Sequence, residues 1–248
     1  MGARLAKVVF QPPPASYRSD PNLIWLVTSC GERIPAFWLE SKGAQFTLLF
    51  SHGNAEDLGH IVRYFKDFKT RLGVNIFAYE YTGYGMSSGY CRELAVYADI
   101  EAAFLYLRDV LRIPWQQIIP YGRSIGTAPS VWLAQRFAVR GLVLQSPMLS
   151  IYRIPFEFRF TLPGDIFTNV TRIDKVCCPV FIIHGTKDEI VPVWHGQLLY
   201  DHCASSGIAH PPFWVQDADH NNLENMAGEE FLLRFQRFLD HMERAPIS

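Results

Sequence analysis

A serine lies between two glycines at residues 122–126, which read Gly-Arg-Ser-Ile-Gly. The apolar residues 118–121 before this motif favour a strand, and the spacing of apolar residues in 127–137 favours a helix. A G-x-S-x-G motif between a strand and a helix is typical of a nucleophile elbow, a sharp turn that exposes a serine hydroxyl. We therefore predict that Ser124 is a nucleophile. The alternative is an ordinary strand-to-helix turn that carries a surface serine.

Two glycines and one amide are predicted to support Ser124. A Cβ at Gly122 or Gly126 would collide with the neighbouring strand or helix at so sharp a turn. The backbone N–H of Ile125 would lie at a helix N-terminus, where it can bind an oxyanion.

A serine hydroxyl is a poor nucleophile unless a base accepts its proton and a third group orients that base. Asp188 follows the apolar strand predicted at 180–185, and His220 follows the strand predicted at 213–215. The order Ser, Asp, His along the chain is that of α/β-hydrolases. We therefore predict that His220 is the base of Ser124 and that Asp188 orients His220.

Other carboxylates and histidines compete for these two roles. Asp219 neighbours His220 in the sequence, so the two side chains diverge. Glu189 and Asp217 are the alternatives to Asp188. Six further histidines lie on the core side of a strand or in helices and loops without a nucleophile nearby: His60, His184, His195, His202, His210 and His241.

The loop after the strand predicted at 46–50 is expected to supply the second oxyanion donor. The backbone N–H of Asn54 is our candidate, and Gly53 lets the backbone approach the reacting carbonyl. His52 is predicted to position this loop and not to act as a base. No metal site is expected, because three potential ligands around the next helix start lack tetrahedral spacing: His52, Asp57 and His60.

Near-continuous apolar strands alternate with helices along the whole chain, which predicts an α/β fold with a mostly parallel central sheet and helices on both faces. In such sheets ligands bind beyond the carboxyl ends of the strands, where all the candidate residues fall. We predict a proline-rich N-terminal segment at 1–22 and a single domain at 23–248. The only sizeable excursion, about 151–175, is expected to form a short cap.

The composition excludes several classes of protein. The 248 residues are 49% hydrophobic and 19% charged, enough for one large core, and the formal net charge of −1 gives no reason to expect a nucleic-acid partner. Five cysteines without paired spacing predict a reducing, cytoplasmic setting without disulfides or zinc. No cofactor is expected. Near the N-terminus, helical spacing would place Leu5, Val8 and Val9 on one apolar face, with the basic residues Arg4 and Lys7 beside it. Such a face can rest on a membrane surface or dock on the protein's own core.

Four segments together with the elbow resemble the ABHD17 (FAM108-like) group of α/β-hydrolases, within the broader bem46-like serine hydrolases. They are SHGNAEDLG at 51–59, YEYTGYGMSSG at 79–89, YADI at 97–100 and HGTKDE at 184–189. The resemblance covers nearly the whole chain. It implies a protein depalmitoylase, a thioesterase that removes long acyl chains from the cysteines of membrane-attached proteins.

Two features depart from that group. Its members carry an N-terminal cluster of palmitoylated cysteines, whereas the first cysteine here is Cys30. Either membrane attachment by acylation is absent, or the chain lacks the beginning of such a protein. The group usually has Gln before the nucleophile, and here Arg123 stands there.

Three functions follow as hypotheses. The first is a serine thioesterase acting on an S-acylated protein through an acyl-enzyme. The second is a general carboxylesterase or lysophospholipase that acts on small lipid esters. The third is a non-catalytic scaffold with the same fold, which would be expected to have lost one of the three predicted residues.

Overall fold

Strands and helices alternate throughout the described part of the chain. The computed structural model describes residues 9–155 and 160–246. The predicted amphipathic face therefore lies outside the described residues, except for Val9, which is buried. The chain divides into two compact units, residues 1–118 and 119–248. The single domain predicted for 23–248 stays a prediction.

The first unit contains four paired strands in the order β1-β2-β4-β3. They are β1 (Ile24–Val27), β2 (Arg33–Leu39), β3 (Thr47–Ser51) and β4 (Asn75–Tyr79). The β1–β2 and β2–β4 pairs are antiparallel, and the β3–β4 pair is parallel. Every residue of β3 is buried, as expected for a strand covered on both faces. β1 and β2 thus form a hairpin at the start of the sheet.

Among residues 9–118, two longer α-helices accompany these strands, α1 (Leu58–Leu72) and α2 (Glu93–Leu105). The side chain of Asp57 caps α1 by accepting a hydrogen bond from the backbone N–H of His60, and Gly73 ends the helix at a φ of 64°. A wider π-helical turn, Tyr106–Val110, follows α2. The helical stretch that begins with α2 therefore changes its hydrogen-bond pattern before its end.

The second unit contains four strands that pair in chain order and are all parallel. They are β5 (Ile118–Arg123), β6 (Leu142–Gln145), β7 (Val180–Gly185) and β8 (Phe213–Val215). Parallel neighbours place their carboxyl ends at the same edge. The residues that follow β5, β7 and β8 therefore meet at one edge of this unit.

Four α-helices lie in the described part of the second unit. They are α3 (Thr127–Ala134), α4 (Trp194–Ser205), α5 (Leu223–Ala227) and α6 (Glu229–Arg244). The structure separates α5 from α6 at Gly228, whose φ is 52°, a left-handed conformation that glycine adopts without steric cost.

The described residues of the excursion predicted as a cap include two short 3₁₀ turns, Asn169–Thr171 and Ile173–Lys175. A buried ion pair joins the Arg153 guanidinium to the Asp165 carboxylate across 3.2 Å. Tyr152 N–H also donates to Asp165. These contacts join residues 152–153 of the excursion to residue 165. Its role as a cap stays a prediction.

Asp99 on α2 gives the first unit a predictable response to pH. Its carboxylate is buried and accepts hydrogen bonds from Thr82 N–H (2.8 Å) and Thr82 Oγ1 (2.7 Å). Burial, with Glu32 nearby and opposed by the Thr82 donors and His52, raises the pKa of Asp99 to about 7. The pKa of an unfolded aspartate is about 3.9. Folding therefore favours the protonated form, and this contribution is lost as pH rises through about 7.

We expect Asp99→Asn to flatten the dependence of thermal stability on pH. The neutral amide can accept from Thr82 N–H and donate to the Thr82 hydroxyl at any pH. As the pH rises from 5 to 8, the melting temperature of the variant should therefore increase relative to that of the native chain. Scanning calorimetry at a series of pH values measures the difference, and parallel curves would contradict the assignment.

Candidate active site

The turn after β5 has the geometry of a nucleophile elbow. Ser124 has a φ of 54°, a left-handed conformation that is unusual for a residue with a Cβ. Residues Ser124–Gly126 form a 3₁₀ turn that leads directly into α3. Thr127 Oγ1 donates to the carbonyl oxygen of Ser124 at 2.6 Å, and Ser130 Oγ donates to that of Gly126 at 2.9 Å. These two bonds brace the turn through its backbone and leave the Ser124 hydroxyl available.

Gly122 lies where this turn folds back on the strand. A Cβ at Gly122 would lie 2.6 Å from the Cα of Thr127 and would also strike the carbonyl of Gly126. Gly126 itself has a φ of −64°, which any residue adopts. The close approach therefore explains the glycine at 122, and the requirement for glycine at 126 stays a prediction.

We expect Gly122→Ala to destabilise the protein strongly. The methyl group would meet backbone atoms that cannot rotate away, so the cost should be about 3 kcal/mol or more. Gly141→Ala is a matched control, because the nearest atoms there belong to the side chains of Met242 and Phe238, which can adjust. Urea denaturation measures both variants. Equal midpoints for Gly122→Ala and the native chain would contradict the close packing of the elbow.

The structure brings Ser124, Asp188 and His220 together in the second unit. His220 Nε2 lies 3.0 Å from Ser124 Oγ, and His220 Nδ1 lies 2.7 Å from Asp188 Oδ2. Asp188 is buried in the loop after β7, and His220 lies in the loop after β8. The three side chains therefore form a continuous line from hydroxyl to imidazole to carboxylate.

Asp188 is fixed by contacts at both of its oxygens. Oδ1 accepts from the backbone N–H groups of Ile190 (3.0 Å) and Val191 (2.8 Å). Oδ2 faces His220, and His184 Nε2 lies 3.3 Å away while donating to the Val191 carbonyl at 2.7 Å. Burial opposes ionisation, but His184, His220 and the Val191 N–H outweigh it and hold the pKa of Asp188 well below its usual range. The carboxylate is thus ionised and cannot rotate without losing bonds.

This arrangement suits acyl transfer. The carboxylate requires the hydrogen on Nδ1 of His220, which leaves Nε2 able to accept the proton of the Ser124 hydroxyl. A serine activated in this way can attack an acyl carbonyl carbon.

The alternative acids are engaged elsewhere. Asp217 is exposed and pairs with Lys187 Nζ at 2.9 Å. Asp219 accepts from the backbone N–H groups of Asn221 and Asn222 at 2.8 and 2.9 Å. Glu189 is exposed. None of these three contacts His220 among the bonds of the described residues.

Sequence reasoning missed a polar cluster beside the nucleophile. Glu224 Oε1 accepts from Arg123 Nη1 at 3.2 Å and from Gln145 Nε2 at 2.8 Å. Glu224 lies on α5, four residues after His220, and Arg123 directly precedes Ser124. The cluster therefore joins α5, which follows the loop of His220, to the end of β5, which precedes Ser124. His184 was also missed as a neighbour of Asp188, and only its position four residues earlier could have indicated it.

The two predicted oxyanion donors lie in different units. Ile125 is buried and directly follows Ser124 in the same turn. This is the position predicted for a backbone N–H that binds the oxyanion. Asn54 lies in the loop after β3, next to Gly53 and His52. His52 Nδ1 donates to the Gly53 carbonyl at 2.8 Å, and His52 Nε2 lies 2.9 Å from Glu80 Oε1. His52 is thus a fixed part of its loop, and the joint role of the two N–H groups stays a prediction.

The described residues contain neither a cluster of metal ligands nor a helix that could span a membrane. No group of three or more metal-ligating side chains occurs in ranges 9–155 and 160–246. None of the helices described there combines the length and the apolar character needed to cross a bilayer.

Similar sequences are found among known proteins. Alpha/beta hydrolase domain-containing protein 17C of Xenopus laevis is 44% identical over 202 residues, which are 81% of this chain and 63% of that protein. Alpha/beta hydrolase domain-containing protein 17B of Homo sapiens is 42% identical over 214 residues, which are 86% of this chain and 73% of that protein. The chain thus spans less than two thirds of the frog protein's length. No protein-family model matches the chain.

Solved structures with the same fold are also found. The esterase Pf2001 of Pyrococcus furiosus superposes with a TM-score of 0.77 at 20% identity, over 94% of this chain and 98% of that one. An alpha-beta hydrolase of Vibrio vulnificus gives a TM-score of 0.69 at 20% identity, over 86% of this chain and 80% of that one. The predicted α/β-hydrolase fold is therefore confirmed.

Proposed function

Since the chain belongs to the ABHD17 family of α/β-hydrolases, we propose that it is a serine thioesterase that removes long acyl chains from protein cysteines. The observation that carries the proposal is the line from Ser124 through His220 to Asp188, with contacts of 3.0 and 2.7 Å. A scaffold without catalysis would not need an ionised, fully bonded carboxylate behind the imidazole.

The proposed reaction has two halves. His220 Nε2 takes the Ser124 proton as Oγ attacks the thioester carbonyl, and the oxyanion accepts from the N–H groups of Asn54 and Ile125. The C–S bond breaks, the cysteine sulfur leaves with the proton from His220, and Ser124 carries the acyl group. Water then attacks that ester with His220 again as base, which releases the fatty acid and restores the hydroxyl.

Asp188 has two tasks in this scheme. It keeps His220 in the tautomer that has a free Nε2, and its negative charge stabilises the imidazolium formed in each half-reaction. Its low pKa keeps it ionised while His220 gains and loses its proton. No cofactor or metal takes part in the proposal.

The proposed location is the cytoplasmic face of membranes, where S-acylated proteins are held by their acyl chains. All five cysteines lack disulfide partners, which supports a reducing compartment. A peripheral contact through the N-terminal segment belongs to the same proposal.

Matched peptide substrates test the proposal. One peptide carries an S-palmitoyl cysteine, and its counterpart carries an O-palmitoyl serine at the same position. We expect kcat/KM for the thioester to exceed that for the oxoester by about tenfold or more, a difference of about 1.4 kcal/mol in transition-state binding. Ser124→Ala is the control for non-enzymatic hydrolysis. Faster turnover of lysophospholipids or short p-nitrophenyl esters would identify a general esterase instead.

A further inference from the structure

Residues 9–17, here called the strap, are bonded across the loop that carries Asn54. The strap reads Val-Phe-Gln-Pro-Pro-Pro-Ala-Ser-Tyr, and the loop, here called the donor loop, spans 52–57. Both lie in the first unit. Val9 and Phe10 are buried, as are His52 and Asp57 in the donor loop. The strap is therefore packed at Val9 and Phe10, whereas most of residues 11–17 are exposed.

The side-chain amide of Asn54 pairs with the backbone of the strap at both of its ends. Nδ2 donates to the Val9 carbonyl at 2.7 Å, and Oδ1 accepts from Gln11 N–H at 3.0 Å. Tyr84 OH reinforces the pair, because it donates to Asn54 Oδ1 at 2.6 Å and lies 3.2 Å from Gln11 N. Only a side-chain amide offers a donor and an acceptor in this geometry. The side-chain amide is thus occupied by the strap and by Tyr84, and the backbone N–H of Asn54 takes no part in these bonds.

Two further contacts hold the ends of the donor loop. Ser16 donates to the Asp57 carboxylate through both its N–H and its hydroxyl. Tyr17 OH donates to Glu80 Oε2 at 2.8 Å, and Oε1 of the same carboxylate lies 2.9 Å from His52 Nε2. The strap therefore bonds directly to Asn54 and Asp57 of the donor loop and is linked to His52 through Glu80.

The first turn of α1 also depends on the strap. A Cβ at Gly59 would lie 3.0 Å from the carbonyl carbon of Ser16 and 3.0 Å from Tyr17 Cβ. The backbone of the strap is stiff as well, because Pro12, Pro13 and Pro14 each fix one dihedral angle. A rigid segment bonded at several points can hold a loop in one conformation at little further entropic cost.

We propose that the strap positions the donor loop for catalysis, with the Asn54 side chain as its anchor. This inference rests on the proposed function, which assigns the Asn54 N–H to the oxyanion. The Asn54 amide and Tyr84 are positioning groups, since they touch the strap and act on the oxyanion only through the backbone. On this account, residues 9–17 contribute to catalysis by fixing the conformation of the donor loop.

Asn54→Leu in the full chain is the main test. Leucine has a similar size and no charge, keeps the backbone N–H of residue 54 and loses both bonds to the strap. We expect kcat to fall roughly tenfold to a hundredfold with little change in KM, because an oxyanion donor acts mainly in the transition state. Tyr84→Phe is the milder second variant, with an expected fall in kcat of a few fold. Thermal melting shows that each variant is folded.

Tyr97→Phe is the matched control. Its hydroxyl donates to Glu93 within α2, so its loss should change kcat by less than about twofold. If Asn54→Leu and Tyr84→Phe fold and keep the native kcat, the strap does not position the donor loop. A fall confined to KM would contradict the proposal in the same way. If the native chain shows no more hydrolysis than Ser124→Ala, the proposed function itself fails, which is a different result.

Discussion

Ser124→Ala is expected to reduce kcat by on the order of a millionfold, the scale seen when a serine hydrolase loses its nucleophile. Without Oγ no acyl-enzyme can form, and only binding and oxyanion stabilisation remain. The fold should persist, because Thr127 braces the turn through the Ser124 carbonyl and not through the hydroxyl. Turnover of an S-acyl peptide, with circular dichroism of the same sample, measures both quantities.

Two outcomes would contradict this expectation. A folded Ser124→Ala protein that keeps a tenth of the native kcat would show that another group attacks the substrate. A variant that fails to fold would assign Ser124 a structural role that the contacts of its side chain do not suggest. Ser130→Ala is a useful comparison, because it removes a hydroxyl that braces Gly126 in the same turn.

Asp188→Asn is expected to reduce kcat by about ten-thousandfold. The backbone N–H groups of Ile190 and Val191 both donate to Oδ1, so the amide oxygen should occupy that position. The amide NH₂ then faces His220 Nδ1, which must become an acceptor. The hydrogen of the neutral imidazole moves to Nε2, and His220 can no longer accept the proton of Ser124.

Asp217→Asn is the matched control for this variant. Asp217 is exposed, belongs to the same sequence neighbourhood as His220 and pairs with Lys187. Its change should leave kcat within about twofold of the native value, as surface ion pairs contribute little. Steady-state kinetics on both variants decides the assignment. Similar losses in the two, or activity retained in Asp188→Asn, would show that Asp188 does not orient the base.

The fold could be predicted because its signals are local. Strands such as Thr47–Ser51 and Val180–Gly185 have apolar centres and are buried along their whole length, as expected in a sheet covered on both faces. Candidate residues of the site could be predicted because Ser124, Asp188 and His220 each follow a strand of such a sheet. Parallel pairing alone brings those strand ends to one edge.

The other features of the structure could not be predicted, because they depend on contacts between residues distant in sequence or on the backbone conformation of a single residue. Asn54 meets the backbone of residues 9–11 across more than forty positions, and nothing in the spacing of a proline-rich segment indicates such a partner. Glu224 reaches Gln145 across an even longer separation. The break at Gly228 was hidden because helical spacing continues on both sides of it, and only its left-handed φ ends the first helix.

Labelling with a fluorophosphonate tests the central claim most directly. The probe phosphonylates a serine only where an imidazole activates the hydroxyl and the fold holds the two together. We predict a single adduct on the peptide that contains Ser124 in the folded native chain, slow labelling of Asp188→Asn and none of Ser124→Ala. A folded native chain that stays unlabelled, or that is labelled at another serine, would contradict the account.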